Sequence, residues 1–521
     1  MIRDDETAGA PRDPRAARGA GGRTETTMVA GLWMSIGTGV QGLLTVLVLA
    51  VVSRLLKPED FGMVSASLLV VNFSLIFSQV GVGPAIIQHP KLRREHLETG
   101  FILSMLFSFV CVAVLSALAP VIARVVDAPR VTPILRALSW LLVLQGISVV
   151  SESQLRRALA FRTIASIRVT SYVLGYGVVG IVAALLGEGA WSLVAASTAQ
   201  TLLSTALLVR SQPITWGMRI DRLALRELAS FGGGFALARI GNYAAVYGDN
   251  SVTAATLGVK ALGLYDRAYQ LMSMPATAIG QVIDDVLFPA MAQVQDDRVR
   301  VGRAYRRCVA AVALLTLPVT GLAVILAPEL FKVLFGPQWT SAILPFRILA
   351  LGTLFRTSYK VSDSLSRAMG AVYRRAWRQW IYAGCVIAGA WLGQHRGLAG
   401  VAVGVVLALL VNFVLMAELS MRLVDISHRS LISAHVPAIR TTALVVLPAW
   451  LVTVAARPLM PPVAVLCAAM VCVAATTTAI YRISPSFLLG EDGRWLAARI
   501  DTLLRTRLGR LLARRPAQLG A

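Results

Sequence analysis

Long apolar stretches separated by short polar connections dominate this chain. An α-helix needs about 20 mostly apolar residues to cross the hydrocarbon core of a bilayer. Fourteen stretches meet that length, near residues 28–52, 62–87, 100–122, 134–151, 164–186, 189–209, 228–252, 263–290, 304–327, 343–364, 376–394, 397–420, 439–456 and 462–481. The pattern predicts an all-α membrane protein with about 14 transmembrane helices. Residues 1–27 are polar and are expected to form a disordered basic tail. No small-residue cleavage site follows the first apolar run, so that tail is expected to be retained. After the last span, Leu496, Ile500, Leu503, Leu504, Leu508, Leu511 and Leu512 recur at helical spacing, with Arg499, Arg505, Arg510 and Arg514 on other faces. Residues 482–521 therefore have the pattern of a basic amphipathic helix lying on an anionic membrane surface.

Composition agrees. Of the 521 residues 56% are hydrophobic and 15% charged, against about 25% charged in soluble globular proteins. The net charge of +23 suggests a nucleic-acid binder only until the basic residues are placed. They form no single patch; they recur between the apolar stretches. With arginines in the first turns of the spans counted to the adjoining connection, 36 of the 50 Arg and Lys fall on the two tails and every second connection, against 8 on the alternate ones. Basic residues stay on the cytoplasmic side of a membrane, so both termini are expected in the cytoplasm, in a bacterial inner membrane. Nucleic acid is excluded as a partner, and membrane lipids are implied. The five cysteines lie within apolar stretches with no C-x-x-C pair, which points to neither a disulfide framework nor a zinc site. The five histidines occupy short polar segments and are expected to be solvated loop residues.

The chain contains an internal duplication. An offset of 201 residues places Leu56, Phe61 and Gly62 on Leu257, Leu262 and Gly263, each set opening a span, and Gln41 on Asn242. Further on, Ala119-Pro120 and Pro129 match Ala327-Pro328 and Pro337, and at an offset of 211 Arg136 matches Arg347 and Ser151-Glu152-Ser153 matches Ser362-Asp363-Ser364. Spans 1–6 and 7–12 are thus two copies of one unit. Six is even, so both copies insert in the same sense and their axis stands along the membrane normal. The expected division is a first lobe over 28–210, a linker over 211–227, a second lobe over 228–420 and two additional helices within 439–481, the lobes enclosing a central cavity.

Ionisable groups within the hydrocarbon are costly and usually face a cavity. Asp266, Gln270, Ser273, Thr277, Gln281 and Asp284 recur at steps of three and four and share one helical stripe. The corresponding stripe of span 2 carries Asn72. Span 7 holds Arg239, Asn242, Tyr243, Tyr247, Asp249 and Asn250, and span 10 holds Arg356, Lys360, Asp363 and Arg367. The first-copy counterparts are mostly neutral: Thr38 for Arg239, Val48 for Asp249 and Gln145 for Arg356. Arg239, Arg356 and Lys360 are candidate substrate-binding cations, able to neutralise a phosphate or acidic sugar, and arginine's planar fork suits phosphate. Asn242, Asp249, Asn250, Asp266, Gln270, Thr277, Gln281, Asp284, Gln41 and Asn72 are candidate cavity-lining groups. The carboxylates Asp249, Asp266 and Asp284 stand as counter-ions or as carriers of a coupling proton or sodium ion. No catalytic group, metal site or other cofactor is indicated.

The run Ser53-Arg54-Leu55-Leu56-Lys57-Pro58-Glu59-Asp60-Phe61-Gly62 and the stretch from Leu257 to Met291, with Leu264-Tyr265-Asp266-Arg267-Ala268-Tyr269, resemble Wzx-type polysaccharide flippases. These form the polysaccharide transporter branch of the superfamily that also holds multidrug and toxin extruders. The resemblance spans the twelve duplicated helices. It implies two six-helix lobes, a cationic cavity, and translocation of undecaprenyl-pyrophosphate-linked repeat units of exopolysaccharide or lipopolysaccharide. A polysaccharide polymerase and glycosyltransferases of the same pathway are the implied protein partners. A lipid II flippase or a small-molecule antiporter of the same superfamily is the nearest alternative. A membrane polymerase or ligase is disfavoured because the external connections are no longer than about a dozen residues. An ATP-driven pump is disfavoured because no G-x-x-x-x-G-K-[ST] loop occurs.

Overall fold

The computed structural model describes residue 42 and residues 44–79, 81–213, 220–283, 291–292 and 295–483. Gln41, Asp284, the N-terminal tail and the expected amphipathic helix beyond residue 483 lie outside the described residues. The described elements are helical throughout: α1 (Leu44–Leu55), α2 (Pro58–Ser78), α3 (Val82–Gln88), α4 (Arg94–Val125), α5 (Val131–Ser139), α6 (Leu141–Arg157), α7 (Phe161–Leu185) and α8 (Ala190–Ser211). They continue with α9 (Arg222–Val282), α10 (Arg298–Ile325), α11 (Ala327–Leu334), α12 (Ile343–Leu351), α13 (Thr353–Ala368), α14 (Val372–Gly393), α15 (Gly397–Val424), α16 (His428–Ala456) and α17 (Pro462–Ile483).

Among the described residues, nine stretches are long and apolar enough to cross a membrane, one of which, Tyr373–Val424, contains both α14 and α15. The long α9 is not among them because charged residues such as Asp249, Lys260, Asp266 and Arg267 lower its hydropathy. It is nevertheless two arms. Gly258 is non-helical, with φ 79° and ψ 175°, a left-handed φ open to glycine at little cost. Side chains sixteen residues apart meet across the break: Tyr265 Oη donates to Asp249 Oδ2 at 2.8 Å. A continuous helix would hold such residues about 24 Å apart, so the chain doubles back at Gly258. Spans 7 and 8 are therefore joined by a one-residue break where the hydropathy pattern left room for a longer loop. A similar left-handed residue, Gly81 (φ 68°), ends span 2 early and starts the short α3.

The two halves meet where α2 crosses the second arm of α9. A Cβ on Gly62 would fall into the Val259 carbonyl, and one on Gly263 into the Pro58 carbonyl. The same Cβ atoms would lie 3.1 Å from Gly263 N and 2.9 Å from Gly62 N. Under the 201-residue offset Gly62 corresponds to Gly263 and Pro58 to Val259, so each contact is the symmetry image of the other, the self-complementary pattern of a two-fold interface. Ser65, one turn along, donates to Asp266, its own counterpart under that offset, at 2.8 Å. A single apolar core runs through the crossing and includes Phe61, Leu262, Tyr265 and Trp339. Glycine pairs also hold α14 against α15, Gly389 facing Gly404 and Gly393 facing Gly400, the close approach that small residues permit between membrane helices.

Gly263→Leu or Gly62→Leu must push the two helices apart at the backbone, costing at least the 1–3 kcal/mol or so of ordinary overpacking. Cysteines replacing Ser65 and Asp266 should form a disulfide in the otherwise native protein and fail to do so beside Gly62→Leu. Equal yields in both backgrounds would show that the helices do not touch there.

Candidate functional site

The halves are bridged at three levels. On the Arg-poor side, the α1–α2 corner accepts hydrogen bonds from the second half: Gln338 Nε2 donates to Ser53 O (2.7 Å) and Leu56 O (3.0 Å), and Trp339 Nε1 to Ser53 O (2.9 Å). Arg54 reaches back to Val333 O, and the buried Trp339 meets Phe61 edge to face at 5.4 Å. At mid-depth, beside the Ser65–Asp266 bond, Tyr243 Oη donates to Leu69 O at 2.5 Å. On the Arg-rich side, Asp221 N donates to Thr99 Oγ1 at 3.1 Å, and Glu227 Oε2 lies 2.6 Å from His96 Nε2 and 3.3 Å from His89 Nε2.

His96 corrects the expectation that the histidines are solvated: it is fully buried. It occupies the third position of α4, where its Nδ1 accepts from Arg93 N at 3.2 Å. That bond places the ring proton on Nε2, which donates to Glu227. The three side chains bring their ligand atoms within 4.8 Å of one another, but a metal at His96 Nε2 would force an N–H on Nδ1 against the Arg93 amide. The donor set fits a hydrogen-bonded bridge and not a metal centre. The Glu227 carboxyl is held below its ordinary pKa, first by the His96 hydrogen bond, with desolvation opposing.

Within the second half, Asp249 is 1% exposed and accepts from Tyr265 Oη and from Asn250 N (2.8 Å). Arg356, half-buried, donates to Tyr269 Oη at 2.6 Å with its guanidinium 4.9 Å from the ring centre of the same tyrosine. Tyr359 and Tyr382 pack beside it, 6.5 Å apart. Lys360, one turn on, lies over Gly280, whose missing side chain makes room for the lysine stem. Asp363 pairs with Arg367 (3.2 Å) and Arg375, a structural cluster.

The structure thus brings together Asp249, Asn250 and Asp266, since Asn250 Nδ2 reaches Asp266 Oδ1 at 3.4 Å. Gln270 joins them through Arg267, whose Nη2 donates to Asp266 Oδ2 (2.7 Å) and Nη1 to Gln270 Oε1 (2.6 Å). Gln281 is half-buried further along the same arm, and Asn72, Arg239, Asn242 and Thr277 are exposed, Thr277 with its hydroxyl on Ser273 O. Five participants carried no weight in the polar-residue pattern: Arg267, Tyr265, Tyr269, Tyr359 and Tyr382. Arg267 sits one residue from the Asp266 stripe, and a single helical step of about 100° was enough to exclude it. The repeated Tyr265–Tyr269 spacing was the available signal for the rings.

A helical chain folded as two like halves around buried polar groups is a membrane transporter in class. The structure of lipid II flippase MurJ in an inward closed conformation superposes with a TM-score of 0.67, covering 87% of this chain and 99% of that one at 10% identity. An inward-facing MATE multidrug transporter of the MOP superfamily superposes at 0.58, covering 77% and 99% at 17% identity. Those superpositions establish the shared fold. The family model described as polysaccharide biosynthesis protein matches residues 51–344, and the chain belongs to that family. Among relatives, lipopolysaccharide biosynthesis protein WzxC of Escherichia coli (strain K12) is 26% identical over 75% of this chain and 80% of its own length. Succinoglycan biosynthesis transport protein ExoT of Rhizobium meliloti (strain 1021) is 29% identical over 60% and 63%. Teichuronic acid biosynthesis protein TuaB of Bacillus subtilis (strain 168) is 21% identical over 67% and 72%. The protein is a multi-pass membrane transporter of polysaccharide biosynthesis, not an enzyme.

Two outcomes follow from the polar contacts. Tyr265→Phe removes the donor to a buried carboxylate, a loss of about 1–3 kcal/mol, and should lower the thermal midpoint of the purified protein in detergent. An unchanged midpoint would show that Asp249 is solvated. At the Arg-rich bridge, a carboxylate with lowered pKa stabilises its contact above the ordinary carboxylate range and loses that contribution only as pH falls through the lowered value. Spin labels at Glu95 and Leu223 should therefore keep one distance from pH 5 to 8, while Glu227→Gln lengthens or broadens it at every pH. A wild-type distance that changes within this range would contradict the assignment.

Proposed function

We propose that the chain flips undecaprenyl-pyrophosphate-linked oligosaccharide, the repeat unit of an exopolysaccharide or lipopolysaccharide, across a bacterial inner membrane. It works by alternating access, with both termini in the cytoplasm. The observation that carries the reading is the arrangement of the halves: a glycine-to-glycine crossing at Gly62 and Gly263, flanked by separable polar bridges on both sides. Breaking one set while keeping the other opens the interior to one side at a time. The similarity to WzxC, ExoT and TuaB, named for lipopolysaccharide, succinoglycan and teichuronic acid biosynthesis, supports this cargo. The division into lobes over 28–210 and 228–420, with two helices added within 439–481, is part of this reading.

Arg239, Arg356 and Lys360 are the cations assigned to the anionic part of the cargo. Asp249 and Asp266 are the carboxylates assigned to counter-charge or to coupling with a proton or sodium gradient, and a polymerase and glycosyltransferases of the pathway are the expected partners. A lipid II flippase is the second reading, favoured by the MurJ fold; the family match to polysaccharide biosynthesis proteins favours the first.

Deleting the gene should abolish surface polysaccharide and leave lipid-linked repeat units in the inner leaflet. Arg239→Ala and Arg356→Ala should each reduce export at unchanged membrane abundance. Normal polysaccharide in the deletion strain, with altered drug sensitivity, would instead identify a drug antiporter.

A further inference from the structure

The first half contains a cavity of about 280 Å³ between α1, α2, α7 and α8, closed on its inner side by Arg267 and Gln270 of the second half. Its position in the duplication explains why space is left there. Val48, Val64 and Leu68 line it, and the 201-residue offset places these on Asp249, Tyr265 and Tyr269. In the second half Asp249, Tyr265 and Tyr269 are buried and bonded, Tyr265 to Asp249 and Tyr269 to Arg356. In the first half aliphatic residues stand at these places, and Val64 and Leu68 are smaller than the corresponding tyrosines.

The remaining wall is built for more than packing. Tyr172 and Tyr176 stack at 5.3 Å with their planes 15° apart. Tyr172 directly precedes, and Tyr176 lies within, a π-helical stretch, Val173–Gly180, in the middle of α7. Its i→i+5 bonding widens the turn, so residues four apart lie nearly above one another, and such turns concentrate at functional sites. Gly175 lets that turn press on the backbone of Gln200, where a Cβ would meet the Gln200 Cα at 2.7 Å. The hydroxyl of Tyr176 is fixed by Ser197 Oγ at 2.7 Å and that of Tyr172 by the Thr45 side chain. Opposite the rings, Arg267 lies 4.8 Å from the Phe61 ring centre, with its charge balanced by Asp266 at 2.7 Å. Its Nε is buried and has no partner.

We propose that this cavity is a saccharide subsite that takes one neutral pyranose ring of the carried glycan. A pyranose offers a face of C–H groups to the negative face of an aromatic ring. Its rim of hydroxyls both donates and accepts, matching the side-chain amides of Gln200 and Gln270 and the spare Arg267 N–H. The volume lies near the lower end of ligand sites, roughly 300–1,000 Å³, so it holds one ring and not a whole repeat unit. The ring is neutral because the guanidinium is already neutralised. Since Arg267 and Gln270 come from the other half, the subsite is complete only while the halves are closed at Gly62 and Gly263, which couples sugar binding to closure. The inference rests on the flippase reading.

The test uses the full-length protein in nanodiscs and the methyl pyranosides of glucose, galactose and mannose as probes, with saturation-transfer NMR as the readout. At least one pyranoside should bind, Tyr172→Leu and Gln200→Leu should weaken it at least tenfold, and Tyr172→Phe, which keeps the ring, should retain it. Thermal midpoints of the same samples separate lost binding from lost folding. No binding of any pyranoside by the folded wild-type protein, or equal binding by folded Tyr172→Leu and Gln200→Leu proteins, overturns the subsite. In a deletion strain, full export by both variants rejects the subsite alone, whereas surface polysaccharide persisting with no copy of the gene rejects the flippase reading itself.

Discussion

Everything in this structure is arranged around one backbone-to-backbone contact, the crossing of α2 and α9 at Gly62 and Gly263. Membrane helices gain little from hydrophobic association, because lipid tails are as apolar as their own side chains. What holds two of them together is close van der Waals approach and polar bonding. The crossing supplies the first at its paired glycines, and Ser65 and Asp266 supply the second within one turn. Around that contact the halves are also tied by the bridges on either side. On one side these are carbonyl acceptors at Ser53 and Leu56 met by Gln338 and Trp339; on the other, a carboxylate held by His96. Each is a small set of hydrogen bonds, strong enough to define a state and weak enough to be exchanged for another.

The helical framework was legible because a bilayer leaves the backbone no other choice. Each span must satisfy its own hydrogen bonds, so hydropathy located the helices and the 201-residue offset located the duplication, while the meeting of Gly62 with Gly263 is known from the geometry alone. The places where the pattern failed are those where one residue's backbone or neighbours decide. Gly81 and Gly258 end helices inside or beside apolar runs through positive φ. His96 was expected in solvent from its polar surroundings, yet its position in the first turn of α4 turns its ring inward onto Arg93 N and Glu227.

The candidate site was half legible for a related reason. Helical stripes identify polar side chains that share a face, and they correctly grouped Asp266 with Gln270. They say nothing about residues that a neighbouring helix selects. Arg267 becomes part of the inter-half surface because Phe61 lies under it and Asp266 neutralises it. Tyr172 and Tyr176 become a stacked wall through a π-helical turn and a glycine contact with Gln200, neither of which hydropathy records.

The duplication then accounts for the chemical asymmetry between the halves. At equivalent positions one copy carries Val48, Val64 and Leu68 and the other Asp249, Tyr265 and Tyr269. A buried carboxylate is tolerable only with donors around it, and once Asp249 is present Tyr265 must stay beside it. Arg356 in turn rests on Tyr269. The second half thereby becomes a filled, charged block that holds its shape. The first half, with aliphatic residues at those places, has no such obligation and keeps a cavity walled by tyrosine and glutamine. Two copies of one fold have in this way separated two tasks that a single lobe could not perform at the same position. One copy is packed around a buried charge, and the other is left open to the polar, uncharged surface of a sugar.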